Sequence, residues 1–129
     1  MRSLTLSVLP DPLAICRLPA DAPIPDWARG EFVSITRTRD ELSIVCAQEN
    51  VPHGTECERD WRALRVVGQL DFALTGVLVA LAAPLAEAGI SIFAISTFDT
   101  DYVLVKTCDL ENAIRVLREA GHQIGGIQK

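Results

Sequence analysis

The chain has 129 residues, 49% hydrophobic and 22% charged, a composition that suits one compact domain or two very small packed ones and excludes disorder. Asp and Glu number 17 against 12 Lys and Arg, for a net charge of −5. The basic residues are scattered, and counterion release needs a clustered basic surface, so neither nucleic acid nor an anionic membrane is an expected partner.

Ser3 to Leu9 alternates, with Leu4, Leu6 and Val8 on one side, and predicts a strand. That alternation and the following Pro10-Asp11-Pro12 leave no continuous apolar run for a signal peptide. Leu13 to Leu18 predicts a second strand. Pro19, Pro23 and Pro25 then enclose a loop with a helical turn near Asp26-Trp27-Ala28. Glu31 to Arg37 and Glu41 to Ala47 predict a hairpin joined through Thr38-Arg39-Asp40. Gln48 to Asp60 carries Pro52 and Gly54 among charges and reads as a linker; His53 and Cys57 within it lack the further ligands a metal needs, so no metal is expected. Cys16, Cys46, Cys57 and Cys108 form no C-x-x-C pair. Cys16 and Cys46 fall among apolar strand residues, as reduced cysteine does, so free thiols and a cytoplasmic location are expected.

Trp61 to Leu70, with Leu64, Val66 and Val67, predicts a strand that Asp71-Phe72-Ala73 breaks. From Leu74 the apolar positions Leu74, Val77, Leu78, Leu81, Leu85 and Ala88 recur at helical spacing, and Gly89 is placed to end the helix in a left-handed C-cap. The uncharged stretch from Phe72 to Ala86 is shorter than the ~20 residues of a membrane span, so a buried helix is predicted. Pro84 inside it removes a hydrogen bond to the carbonyl of Ala80 and predicts a bend. Ile90 to Phe98 and Asp101 to Lys106 predict a hairpin turning at Asp99-Thr100. A second helix starts near Asp109, presents Leu110, Ala113, Ile114 and Leu117 on one face, and stops at Gly121; His122 to Ile127 predicts the last strand. The order β-α-β-β-α-β is that of an α+β, ferredoxin-like fold. The first half reads as a reduced, β-rich copy of the second, giving units at 1–60 and 61–129.

The run APLAEAGIS from Ala83 to Ser91, continuing as ISTFDTDYVLV from Ile95 to Val105, resembles ACT domains, closest to those of the aspartate kinase tail and of the cytosolic arginine sensors that control the mTOR pathway. Phe32 to Thr36 followed by Asp40 to Val45 is similar to the preceding ACT-like unit of those sensors. The resemblance implies paired units whose sheets join side by side, a homodimer, and a small ligand bound at the seam. It places the ligand against the loop between first strand and first helix, here Asp71, Phe72, Leu74, Thr75 and Gly76, and against Thr97, Phe98, Asp99 and Asp101 of the hairpin. A helix N-terminus suits a carboxylate, and an Asp facing it holds an α-ammonium group, so an amino acid is the expected ligand. Leu74 stands where the arginine-binding unit of the sensors carries an acidic residue, which implies a smaller or apolar ligand side chain.

Each of these residues also has a plain structural reading. Asp99 and Asp101 serve a hairpin turn, Thr75 and Asp71 serve as caps, Gly76 admits close helix–sheet packing, and Phe98 and Phe93 belong to the core or an interface. No nucleophile with its base and no carboxylate pair forms a clear motif, so a regulatory sensor without catalysis or cofactor is expected, with a protein-interaction module whose ligand site is empty as the alternative.

Overall fold

The computed structural model describes residues 3–68 and 75–127. Two compact units emerge from the packing, Asp11–Trp61 and, together, Met1–Pro10 with Arg62–Lys129. In chain order the elements are β1 (Thr5–Val8), β2 (Leu13–Leu18), β3 (Ser34–Arg37), β4 (Leu42–Ala47), β5 (Cys57–Val66), α1 (Val77–Glu87), β6 (Ile92–Ser96), β7 (Asp101–Lys106), α2 (Leu110–Glu119) and β8 (Gln123–Ile127).

The unit of residues 11–61 is β-rich and antiparallel, in the order β3-β4-β2-β5. β2 and β4 pair without a register break from Leu13↔Ala47 to Leu18↔Leu42. Alternate residues of a strand share a face, and Ala14 and Cys16 of β2 join Leu42, Ile44 and Cys46 of β4 and Val51 in one core. Trp27 and Cys57 pack against it. The proline-rich loop is held by Arg37, whose guanidinium donates to the carbonyls of Ala20 and Ala22.

The expected linker is replaced in part by structure. Gln48–Asn50 forms a single 3-10 turn, and β5 begins at Cys57, not at Trp61. Glu58 and Asp60 sit on the exposed side of an alternating strand, where charge costs little, so their presence did not exclude a strand. A bulge follows, since Ile15↔Glu58 gives way to Leu13↔Trp61 and Asp60 adopts φ 68°. The Gln48 side chain braces it, donating to the Asp60 carboxylate at 3.0 Å and accepting the Asp60 N–H.

The second unit has the strand order β8-β1-β5-β7-β6. A bare βαββαβ fold would place β8 beside β5. Here β1 lies between them, antiparallel to β5 (Leu6↔Val66) and parallel to β8 (Leu6↔Ile124). The first strand, grouped by sequence order with the N-terminal half, thus completes the sheet of the C-terminal unit. Leu6, Val8, Leu64, Val66, Val103 and Val105 form a core with Val77, Ala80, Leu81 and Leu85 of α1 and Leu110, Ala113 and Leu117 of α2. No helix among the described residues is long and apolar enough to cross a membrane.

Both helices end as their glycines predict. Gly89 N–H bonds to Ala86 O and Ile90 N–H to Leu85 O; Gly121 N–H bonds to Arg118 O and His122 N–H to Leu117 O. Each pair is a Schellman closure with glycine at positive φ. The carbonyl that Pro84 leaves without a helical donor is covered from elsewhere. Buried His122 places Nε2 2.9 Å from Ala80 O, while its Nδ1 accepts the N–H of Leu4 at 3.1 Å. With Nδ1 accepting from Leu4, Nε2 is the ring nitrogen that donates to Ala80 O.

Candidate functional site

α1 begins at Val77, three residues later than its apolar periodicity indicates, because Gly76 precedes it with φ 78° and ψ 0°. An L side chain is strained there, and a Cβ built at Gly76 meets none of the described residues within 4 Å. Gly76 therefore serves the backbone turn, and no described residue packs closely against it. Thr75 is exposed and does not cap the helix: among the described residues no side chain accepts from the first turn, which also carries no acidic residue. The first intrahelical bond runs from Ala80 N–H to Gly76 O at 2.9 Å. Among the described residues no side chain compensates the positive end of α1, the condition in which a helix start attracts an anion. Asp71, Phe72 and Leu74, the other expected ligand residues of this loop, lie outside the described residues.

The hairpin residues meet at the end of β6. Ser96↔Asp101 closes the ladder, and Thr97 to Thr100 make the turn. Two threonines help to hold it: Thr97 N–H donates to Thr100 O at 2.8 Å, Thr97 Oγ1 donates to the same oxygen at 3.0 Å, and Thr100 N–H donates to Thr97 Oγ1 at 3.2 Å. Asp99 is exposed and Asp101 half-buried. Phe98 is 74% exposed, which overturns its reading as a core residue. Thr100 is buried and its hydroxyl donates to Val66 O at 2.7 Å. That bond fastens the hairpin to the last residue of β5, where the chain leaves the sheet on its way to α1.

A cleft of about 430 Å³ opens elsewhere, in residues 11–61, lined among others by Asp11, Gln48, Glu49, Val51, His53 and Arg59. Its guanidinium, on Arg59, is engaged by the carbonyls of Gln48 at 3.4 Å and Val51 at 3.2 Å. Among the described residues, none of the expected ligand residues lines this cleft. His53 faces it, whereas Cys57 packs against the core, so the two do not act as a pair.

The sequence model of the ACT domain matches residues 56–119, and a second model, described as the N-terminal domain of its family, matches residues 11–54. The chain belongs to the ACT domain family. A bovine relative, the cytosolic arginine sensor for mTORC1 subunit 1, is 39% identical over 66 residues, which is 50% of this chain and 20% of that protein. The chain therefore spans a fifth of the length of that curated relative. The crystal structure of protein Atu0741 from Agobacterium tumefaciens superposes with a TM-score of 0.92 at 38% identity, covering 100% of this chain and 99% of that one. The regulatory subunit of aspartate kinase from Thermus flavus shares the fold, with a TM-score of 0.63 at 16% identity, covering 92% of this chain and 99% of that one.

Within the ACT domain, then, Thr97, Phe98 and Asp99 lie in one turn with Asp101 on the strand just after it, and the Thr100 hydroxyl ties that turn to the β5 end. Thr75 and Gly76 open α1 on the far side of the undescribed loop. Nothing in the sequence singles out Thr100 or His122, although the Thr-x-x-Thr spacing of residues 97–100 matches a side-chain-closed turn and is the one local signal for the first of them.

Proposed function

We propose that this protein is a regulatory ACT module that binds a small ligand, an amino acid, without catalysing a reaction. The observation that carries the reading is the start of α1: a left-handed Gly76 whose Cβ position meets none of the described residues and which none of them caps with a side chain, in an ACT domain. In this reading the ligand carboxylate meets the first-turn N–H groups and Asp101 takes the α-ammonium, with Asp71, Phe72, Leu74, Thr75, Thr97, Phe98 and Asp99 around it. The relative named as an arginine sensor supports the ligand class, and the regulatory subunit that shares the fold supports a role without catalysis. Leu74 favours a ligand side chain smaller or less polar than arginine.

The same reading makes the protein a cytoplasmic homodimer, with units paired along sheet edges, and takes residues 11–61 as a reduced ACT-like unit. Free cysteines suit that compartment, and β6, which pairs with β7 alone among the described strands, supplies an open edge. The test is a thermal-shift screen against the twenty amino acids. A ligand at 100 times its Kd stabilises by about 2.7 kcal/mol, which one amino acid is expected to show and Asp101→Ala to abolish. No shift across the panel, with the fold intact, would transfer the reading to a protein-interaction module.

A further inference from the structure

Three of the four cysteines gather on one face of the sheet in residues 11–61, and two of them are direct cross-strand partners. Cys16 of β2 lies opposite Cys57 of β5, and Cys46 lies one strand away, opposite Ala14. The neighbouring pair decides the local geometry. Arg17 N–H donates to Glu56 O at 3.0 Å, so 17/56 is a hydrogen-bonded pair and 16/57 the non-hydrogen-bonded one beside it. Cα atoms of such a pair approach to about 4.5 Å with both side chains on one face, inside the roughly 4.4–6.8 Å range that a disulfide spans. The two thiols differ in access: Cys16 is 2% exposed, whereas Cys57 is half-buried and reachable from solvent.

The geometry points to Cys16 and Cys57 as a reversible dithiol–disulfide site that exchanges with low-molecular-mass disulfides of the glutathione class. Cys57 thiolate attacks one sulfur of the oxidised tripeptide, the S–S bond breaks, and one glutathione thiolate leaves. Cys16 gives up its proton and attacks the Cys57 sulfur of the mixed disulfide, and the second glutathione leaves as the thiolate and takes up that proton. Two protein thiols are oxidised and one glutathione disulfide is reduced to two thiols. Burial disfavours the Cys16 thiolate, which makes ring closure the slow step and the mixed disulfide on Cys57 the species that accumulates early. A bridge that ends on the solvent-accessible Cys57 is open to attack by reduced glutathione, as a switch requires.

Cys46 is the built-in control, since it shares the face but is diagonal to Cys16. The folded protein, with Cys108→Ser to remove the exposed thiol, is equilibrated over a series of oxidised to reduced glutathione ratios, acid-quenched, alkylated and mapped by non-reducing peptide mass spectrometry. The expected result is a Cys16–Cys57 cross-link that rises with the oxidised fraction and is reversed by reduced glutathione. Cys16→Ser is expected to trap glutathione on Cys57 with no cross-link, and Cys57→Ser to show neither. A link through Cys46, no link at any ratio, or a link formed only in urea would each overturn the assignment.

Discussion

Gly76 stands at φ 78°, with none of the described residues where a Cβ would lie, so two substitutions there separate backbone strain from blocked access. Gly76→Ala is expected to cost about 1–2 kcal/mol through the left-handed conformation alone, read as a lowered urea midpoint, while keeping a ligand-induced thermal shift. Gly76→Leu, unbranched at Cβ, extends further and is expected to lose that shift at comparable stability; equal ligand response in both variants would remove the helix start from the site. Cys16 offers a different test at the same scale. Burial, with a smaller contribution from Cys57 and Cys46, pushes its thiol up from 9.0 to about 12. The folded state therefore holds this proton more tightly than the unfolded chain does. Its stabilising effect is complete below pH 9, declines at roughly 1.4 kcal/mol per pH unit above that, and is gone beyond the folded value. The difference in urea midpoint between the protein and Cys16→Ala is accordingly expected to shrink from pH 9 to pH 12, and a pH-independent difference would mean that water reaches the thiol.

At the level of elements, α1 tolerates Pro84 because His122, 42 positions beyond Ala80, supplies what the proline removes. His122 covers Ala80 O and at the same time takes the Leu4 N–H, so His122→Leu leaves two buried backbone groups unpaired, at about 1–3 kcal/mol each. Pro84→Ala restores a helical donor for Ala80 O. In that background the cost of His122→Leu is expected to fall by about 1 kcal/mol or more, measured as the coupling term of a double-mutant cycle in chemical denaturation. An additive cycle would mean that His122 acts through Leu4 alone. The contrast between the two ends of this contact marks what the sequence makes legible. The orphaned carbonyl is a local consequence of proline and can be derived from Pro84 itself, as can the glycine-closed helix ends at Gly89 and Gly121 and the apolar faces of both helices, since all repeat within a few residues. Its partner is chosen by packing across the unit and has no local signature. The start of β5 fails for a related reason: Glu58 and Asp60 look like solvated linker until the alternation that carries them on an exposed face is known. Among the candidate site residues, the hairpin aspartates draw attention by charge, yet Thr97 and Thr100 shape the turn through hydroxyls that composition does not flag.

At the level of the whole molecule, strand order is the feature least accessible from the sequence, because pairing partners are set by closure of the sheet and not by neighbourhood in the chain. The alternation of Leu4, Leu6 and Val8 announces a strand; nothing in those residues says that it lies between β5 and β8, more than fifty residues on. The position has an energetic consequence. Leu6 and Val8 are 1% and 0% exposed and Leu4 is 7% exposed, all in the core beneath α1 and α2. Losing them removes three buried aliphatic side chains at about 2–5 kcal/mol each for the larger ones, and it unpairs the facing edges of β5 and β8 as well. That sum is of the order of the whole stability of a small domain, about 5–15 kcal/mol. A chain beginning at Asp11 is therefore expected to lose the cooperative unfolding transition of the ACT unit, seen as reduced helical circular dichroism. Adding a peptide of residues 1–10 in trans is expected to restore the signal, with a midpoint that rises with peptide concentration, because association then supplies the missing strand by mass action. If the shortened chain instead keeps its transition, β5 and β8 must close on each other directly. The ACT sheet would then have two accessible strand orders, with β1 an accessory strand.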